Sequence, residues 1–317
     1  MHLGALARGG AGLVVQEATA VVPEGRITPA DAGIWNDEQA TDYARINDFV
    51  RSQGSVPGIQ LAHAGRKAST QRPWEGDGYV DPADGGWQTV GPSPLPFGGW
   101  PAPRELTTEQ VRELPRAFAD GALRSLQAGF EVVEIHAAHG YLIHQFLSPL
   151  TNHRTDEYGG DLAGRGRLLV EIVDAVRRVW PDERPLFVRF SATDWAEGGW
   201  NVEQTVQVAG DLAGHGVDLV DVSSGGLVPD VRIPVGPGYQ VPFARAVREG
   251  SGLPVAAVGM ITEPVQAEGL LVDGSADAVL VARAALADPS WPQHAAARLG
   301  GDVHWPDQYA RARRSRP

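Results

Sequence analysis

The chain has 317 residues, 43% of them apolar, enough to fill the core of one large domain or two ordinary ones. Lys and Arg total 27 against 39 Asp and Glu, a formal net charge of −12, which excludes nucleic-acid affinity built on phosphate neutralisation and argues against docking on anionic lipid. Cysteine is absent, which removes disulfides, thiolate zinc sites, iron–sulfur clusters and cysteine nucleophiles; with no apolar run of membrane-spanning length, the expectation is a cytoplasmic globular protein.

In chain order, 1–10 reads as the tail of a helix. Short runs at 12–17, 58–61, 132–135, 186–190, 219–222, 255–258 and 278–281 read as strands. Several are apolar throughout, as a parallel sheet buried on both faces requires. Amphipathic segments of helix length separate them, at 37–51, 109–128, 165–179, 202–214, 243–249, 264–271 and 289–298. Such units predict either a doubly wound open sheet or a (β/α)₈ TIM barrel. No G-x-G-x-x-G follows a strand, and polar residues stand just after the strand ends, at Gln60, His136, Arg189, Ser223, Gly259 and Arg283. That is how a barrel builds a site, so the α/β TIM barrel is the predicted fold, one domain over 1–317. Only about seven units are present, and the first strand, on the order of 30 residues or more with its connection, reads as truncated. The stretch 69–104, with Trp74, Trp87 and Trp100, is expected to form a packed cap.

The chemistry gathers in Glu134-Ile-His136-Ala-Ala-His139-Gly-Tyr141-Leu-Ile-His144-Gln-Phe146-Leu-Ser148-Pro149, where the 132–135 strand passes into a helix. His136 and His139 are three apart, which on a helical turn points both rings to one side. Spacing leaves three readings open. The two imidazoles can polarise one carbonyl oxygen, with Tyr141 giving a proton to a developing carbanion. They can bind a metal with Glu134 as a further ligand. Or they are hydrogen-bonded core histidines. A Schiff-base aldolase fits poorly, because the sole lysine, Lys67, lies several residues beyond its strand.

This segment resembles the Old Yellow Enzyme family of FMN-dependent ene-reductases, most of all its thermophilic-like branch. Glu17-Ala-Thr-Ala-Val21, Gln60-Leu-Ala-His63-Ala-Gly-Arg66-Lys67, Asn152-His-Arg154-Thr-Asp156-Glu-Tyr158-Gly-Gly160, Val188-Arg189-Phe-Ser191-Ala, Asp221-Val-Ser223-Ser224-Gly225, Val258-Gly259-Met260 and Gln308-Tyr309-Ala-Arg311 keep the family's order along the chain. The resemblance implies an NAD(P)H oxidoreductase with FMN across the barrel mouth. Gln60 would pair with the uracil-like edge of the ring, Ala18 would lie beside it, and Arg189 would stand near N1 and C2=O. A permanent cation there favours the anionic reduced ring. Ser223, Gly225, Gly259, Met260, Ala282 and Arg283 match the remaining cofactor positions, the phosphate site above all, after what would be strands six to eight. The family's usual glycine beside Arg283 is Ala282 here, and Met260 is expected to pack.

The implied reaction is ping-pong. NADPH or NADH passes hydride to flavin N5 and leaves; an activated alkene, an α,β-unsaturated carbonyl or nitro compound, then binds with its oxygen between His136 and His139. Hydride goes to the β-carbon and Tyr141 protonates the α-carbon. The 308–311 segment resembles one through which a subunit lends an arginine to its neighbour, so Arg311 implies a substrate contact across a homodimer or homotetramer. Arg313, Arg314 and Arg316 follow as a basic tail. The missing strand keeps two alternatives in view: a catalytically impaired flavin-binding protein, and, behind it, a metal-dependent TIM-barrel hydrolase.

Overall fold

A computed structural model describes residues 1–312; 313–317, with Arg313, Arg314 and Arg316, lie outside the described residues. Seven parallel strands form a sheet in the order β1 (Leu13–Ala20), β2 (Val56–Ala62), β5 (Val132–Ala137), β6 (Leu186–Ser191), β7 (Leu219–Ser223), β8 (Val255–Ala257) and β9 (Ala278–Val279). β3 (Val90–Gly91) and β4 (Arg104–Glu105) make a separate two-stranded ladder. Helices α1 (His2–Arg8), α2 (Asp37–Ser52), α3 (Thr108–Gln127), α4 (Leu142–Leu147), α5 (Leu162–Arg177), α6 (Val202–Ala213), α7 (Val241–Ser251), α8 (Pro264–Val272), α9 (Arg283–Ala287) and α10 (Trp291–Leu299) fill the connections. This is a TIM-barrel-like α/β architecture. β1 and β9 are the outer strands, and among the described residues no ladder joins them.

Strand alternation decides which residues meet the helices and which look into the sheet's concave side. Ile59, Leu61, Val133, Ile135, Val188, Phe190, Val220 and Val222 belong to one apolar core. The intervening positions are polar: Gln60, Glu134, His136, Arg189 and Asp221. Parallel register sets them side by side, with Gln60 opposite Glu134, His136 opposite Arg189, and Arg189 opposite Asp221. The helix starts are locally coded. Asn36 with Gln39 and Thr107 with Gln110 form reciprocal capping boxes at α2 and α3. Val111, Leu114, Phe118 and Ala122 then bury one stripe of α3.

Several expectations shift. β1 runs on to Ala20, its register with β2 breaking between Gln16 and Thr19, so Ala18 sits at an irregularity. The expected helix at 289–298 is preceded by a separate short helix, α9. In the 69–104 stretch, Trp87 Nε1 donates to Glu24 O and Trp100 packs on Phe97 at 5.1 Å, but Trp74 is 78% exposed and does not pack as expected. Among the described residues no helix is long and apolar enough to cross a membrane.

Candidate active site

The concave side carries a chain of buried polar groups. Gln60 Nε2 donates to Glu134 Oε1 at 2.6 Å, and Arg189 Nε lies 2.8 Å from Asp221 Oδ2. The Asp221 side chain has no exposure at all, whereas that of Arg189 is 22% exposed. Burial raises the Glu134 carboxyl, with Asp221 adding to the rise and Arg189 opposing it; burial also raises Asp221, against the same guanidinium. One cation thus stands between two carboxyls that would otherwise be expensive to keep out of water.

Above this layer lies the turn after β5. His136 is the fifth residue of that strand, and His139 has φ +58°, so the two are not on a helical turn as the spacing predicted. A left-handed non-glycine residue is strained and needs support. The Ser191 hydroxyl accepts from His139 N at 2.9 Å, and Lys67 Nζ donates to His139 O at 2.9 Å and to Gly226 O at 2.8 Å. The loops after β5 and β7 touch backbone to backbone. A Cβ on Gly140 would lie 2.2 Å from Gly226 O, so only glycine fits there.

The strand end and the turn still gather the expected rings. His136 stands 5.1 Å from His139 and 5.0 Å from Tyr141, edge to face in both cases. His136 Nδ1 accepts from Ala138 N at 3.2 Å, so its proton sits on Nε2, a free donor. His139 Nε2 lies 2.8 Å from Ser223 Oγ, which also reaches Gln240 Oε1 at 3.2 Å. Ser224 already donates to that oxygen at 2.7 Å. Because Ser224 also donates to Gln240, the Ser223 proton is free to turn between Gln240 Oε1 and His139 Nε2, and the second orientation goes with an imidazole N–H on Nδ1. Ser223, matched to a cofactor position, is in hydrogen-bond contact with His139 here. Among the described residues no group of three or more His, Asp or Glu converges as metal ligands, and Glu134 turns to Gln60 instead.

Burial, followed by the Arg189 charge, holds His136 and His139 well below the ordinary imidazole range, and burial holds His63 down to about 4. All three are neutral in the fold. Below about pH 6.5 the unfolded chain takes up protons that the fold refuses, so stability rises with pH between 4 and 6.5. Acidification should cost about 1.4 kcal/mol per pH unit for each ring across its window. Urea midpoints at pH 7.0 and 5.5 measure this; equal midpoints would mean that the imidazoles charge freely inside the fold. Tyr141 moves the other way, its phenol pushed up to about 12 by burial and by Asp31.

The remaining candidates spread over the ends of β7, β8 and β9. Gly225 has φ +73° and donates from N to Thr193 O at 2.8 Å. Gly259 has φ +124°, and a Cβ there would lie 2.8 Å from the Gln240 amide nitrogen. Met260, expected to pack, is 40% exposed at φ +51°, because the turn that follows Gly259 carries it outward. Ala282 and Arg283 are exposed where α9 begins, just beyond β9. Arg311 is exposed in a terminal 3₁₀ turn, whose Tyr309 hydroxyl accepts from Arg8 Nη1 at 3.0 Å within the same chain. Sequence reasoning gave no role to Asp221, Ser191 or Lys67 at the turn. Asp221 carried a signal, since its alternation with Ser223 puts a carboxylate on the face shared by Arg189.

Residues 2–301 match the NADH:flavin oxidoreductase / NADH oxidase family. The chain belongs to that family. It is 45% identical to an NADPH dehydrogenase of Halalkalibacterium halodurans over 98% of this chain and 87% of the relative. Morphinone reductase shares the fold at TM-score 0.77 and 29% identity, over 96% of this chain and 82% of that one. An Old Yellow Enzyme homologue from Zymomonas mobilis does so at 0.76 and 26%, over 95% and 83%. As a member of this flavin oxidoreductase family the protein is an enzyme, with FMN and NAD(P)H as cofactors. The donor set fits FMN. With Gln60 Nε2 tied to Glu134, its carbonyl oxygen is left to accept; Arg189 is ion-paired with Asp221 without an aligned hydrogen bond, and its partly exposed guanidinium keeps N–H groups to donate.

Proposed function

We propose that this flavin oxidoreductase is an ene-reductase working in two half-reactions on one face of FMN, first with NAD(P)H and then with an activated alkene. The observation that carries the reading is the convergence of His136, His139 and Tyr141 at 5.0–5.1 Å beside Arg189. Gln60, Arg189 and Ala18 would hold the flavin ring, and Gly225, Gly259 and Arg283 the ribityl phosphate end, with Met260 and Ala282 at its border. Bound there, FMN supplies the two-electron carrier between nicotinamide and alkene.

The chain's own residues do the rest. His136 Nε2–H and His139 Nδ1–H donate to the carbonyl or nitro oxygen, drawing charge from the alkene as neutral donors. Tyr141, protonated at any physiological pH, gives its proton to the α-carbon. Arg189 balances negative charge gained at the ring edge. The whole of 1–317 acts as one domain with 69–104 as its cap, in the cytoplasm, and Arg311 serves the neighbouring site of a homodimer or homotetramer.

The test is spectroscopic. The protein reconstituted with FMN should be yellow, bleach with NADPH in the absence of oxygen, and regain colour with 2-cyclohexenone. Bleaching that no enone or nitroalkene reverses would remove the ene-reductase reading and leave a dehydrogenase with another acceptor.

A further inference from the structure

The His136–Pro149 segment holds a third imidazole, His144, which has no task in the proposed reaction. It lies in α4, and its side chain and that of Asp194 have no exposure at all. His144 Nδ1 accepts from Gly140 N at 2.9 Å, so its proton must sit on Nε2, which lies 2.8 Å from Asp194 Oδ1 in an electrostatic contact not aligned as a hydrogen bond. Asp194 comes from the loop after β6, and its other oxygen accepts from Ser148 Oγ at 2.6 Å and from Trp200 N at 2.7 Å. Burial alone would raise this carboxyl, but His144 and the hydrogen bonds from Ser148 and Trp200 outweigh it and hold Asp194 below the usual carboxylate range. The next residue of α4 completes the grip, Gln145 Nε2 donating to Gly140 O at 2.7 Å.

We infer that His144 and Asp194 are positioning residues for the reaction proposed above: Asp194 fixes the imidazole as the Nε2–H tautomer, and its bare Nδ1 then clamps the Gly140 amide between His139 and Tyr141. The claim rests on that proposed reaction for its functional part. The opposite tautomer would set an N–H against an N–H at Gly140, so the carboxylate is what makes the clamp attractive. A fully buried acid–imidazole pair is weak evidence for stability, since apolar residues of like volume often serve as well. Its geometric product here is a fixed turn: with Gly140 N–H and C=O both held from α4, the peptides flanking it cannot rotate. Those peptides carry the imidazole that grips the substrate oxygen and the phenol that protonates the carbon.

Two substitutions at His144 separate the clamp from mere filling. Asparagine carries its Oδ1 where the ring has Nδ1, so His144→Asn keeps an acceptor for Gly140 N–H. Glutamine carries its Nε2 where the ring has Nε2, so His144→Gln keeps the donor to Asp194 and loses the acceptor. Amide hydrogen exchange at Gly140 and steady-state alkene reduction by the FMN-loaded protein are read for both. In the wild type the Gly140 amide should exchange as slowly as core strand amides although it lies in a turn. His144→Asn should keep that protection and hold kcat within roughly a few-fold. His144→Gln should lose protection and about ten- to hundredfold in kcat, with FMN content unchanged, as an ångström of misplacement costs elsewhere.

Fast Gly140 exchange in the wild type overturns the inference, and so does an equal loss of kcat in both variants that tracks their stability. The wild-type measurement needs no variant, so a His144→Gln protein that fails to fold still leaves the claim open to refutation. If the wild type loaded with FMN reduces no activated alkene, the proposed reaction falls, while exchange at Gly140 still decides whether the clamp exists.

Discussion

Tyr141→Phe is expected to slow alkene reduction by about 10²- to 10⁴-fold, the usual worth of a positioned acid, while leaving the NADPH half-reaction near its wild-type rate. The substitution keeps the ring that packs 5.0 Å from His136 and removes only the hydroxyl, so binding and folding should change little. Stopped-flow measurement of each half-reaction separates the two. The pH profile adds a second check. A phenol pushed up to about 12 remains a proton donor throughout the accessible range, so the alkene step should stay flat on the alkaline side. A fall centred near the ordinary tyrosine value of 10 would show the phenol in water, and an unchanged rate in Tyr141→Phe would give the proton another source.

Arg189→Gln should produce the largest loss of stability of any single change at the site, about 3–5 kcal/mol, because it leaves a buried carboxylate without its cation. Asp221 has no exposed side-chain surface, and Glu134 faces the same space from the next strand but one. Denaturant titration of the cofactor-free protein measures the loss directly, apart from any effect on FMN. Adding Asp221→Asn to Arg189→Gln should then recover part of it, since the double variant removes the Asp221 charge along with its cation and the two sites are coupled. If Arg189→Gln unfolds at the wild-type midpoint, the guanidinium does not hold this pair together. FMN affinity should fall in the single variant as well, which equilibrium dialysis would register.

Much of this molecule was legible before any tertiary contact was known. The alternation of β-branched runs with amphipathic helices announced a parallel sheet wrapped by helices, because such strands must turn an apolar face to the helices that cover them. The amphipathic runs at 37–51 and 109–128 placed two helix starts within a residue of Asp37 and Thr108, where the capping hydrogen bonds are local. The block from Glu134 to Pro149 set the candidate residues at one strand end and pointed to the family to which the chain belongs.

What the sequence left undecided is what depends on partners distant in the chain. His139 takes a left-handed backbone supported by Ser191, from the end of β6, and Lys67, from the 3₁₀ turn beyond β2, whereas spacing alone had placed it on a helical turn. Ser223, matched to a cofactor position, also meets an imidazole 84 residues away, which no local pattern announced. Arg189, expected near a flavin edge, also lies within ion-pair distance of Asp221, a pairing created by parallel register and by nothing within either strand. Residue types and local periodicity determine which elements form and which chemistry is available. The direction in which each polar side chain spends its hydrogen bonds is settled only when neighbouring strands come into register, because a buried donor finds its acceptor chiefly among groups the chain brings from elsewhere.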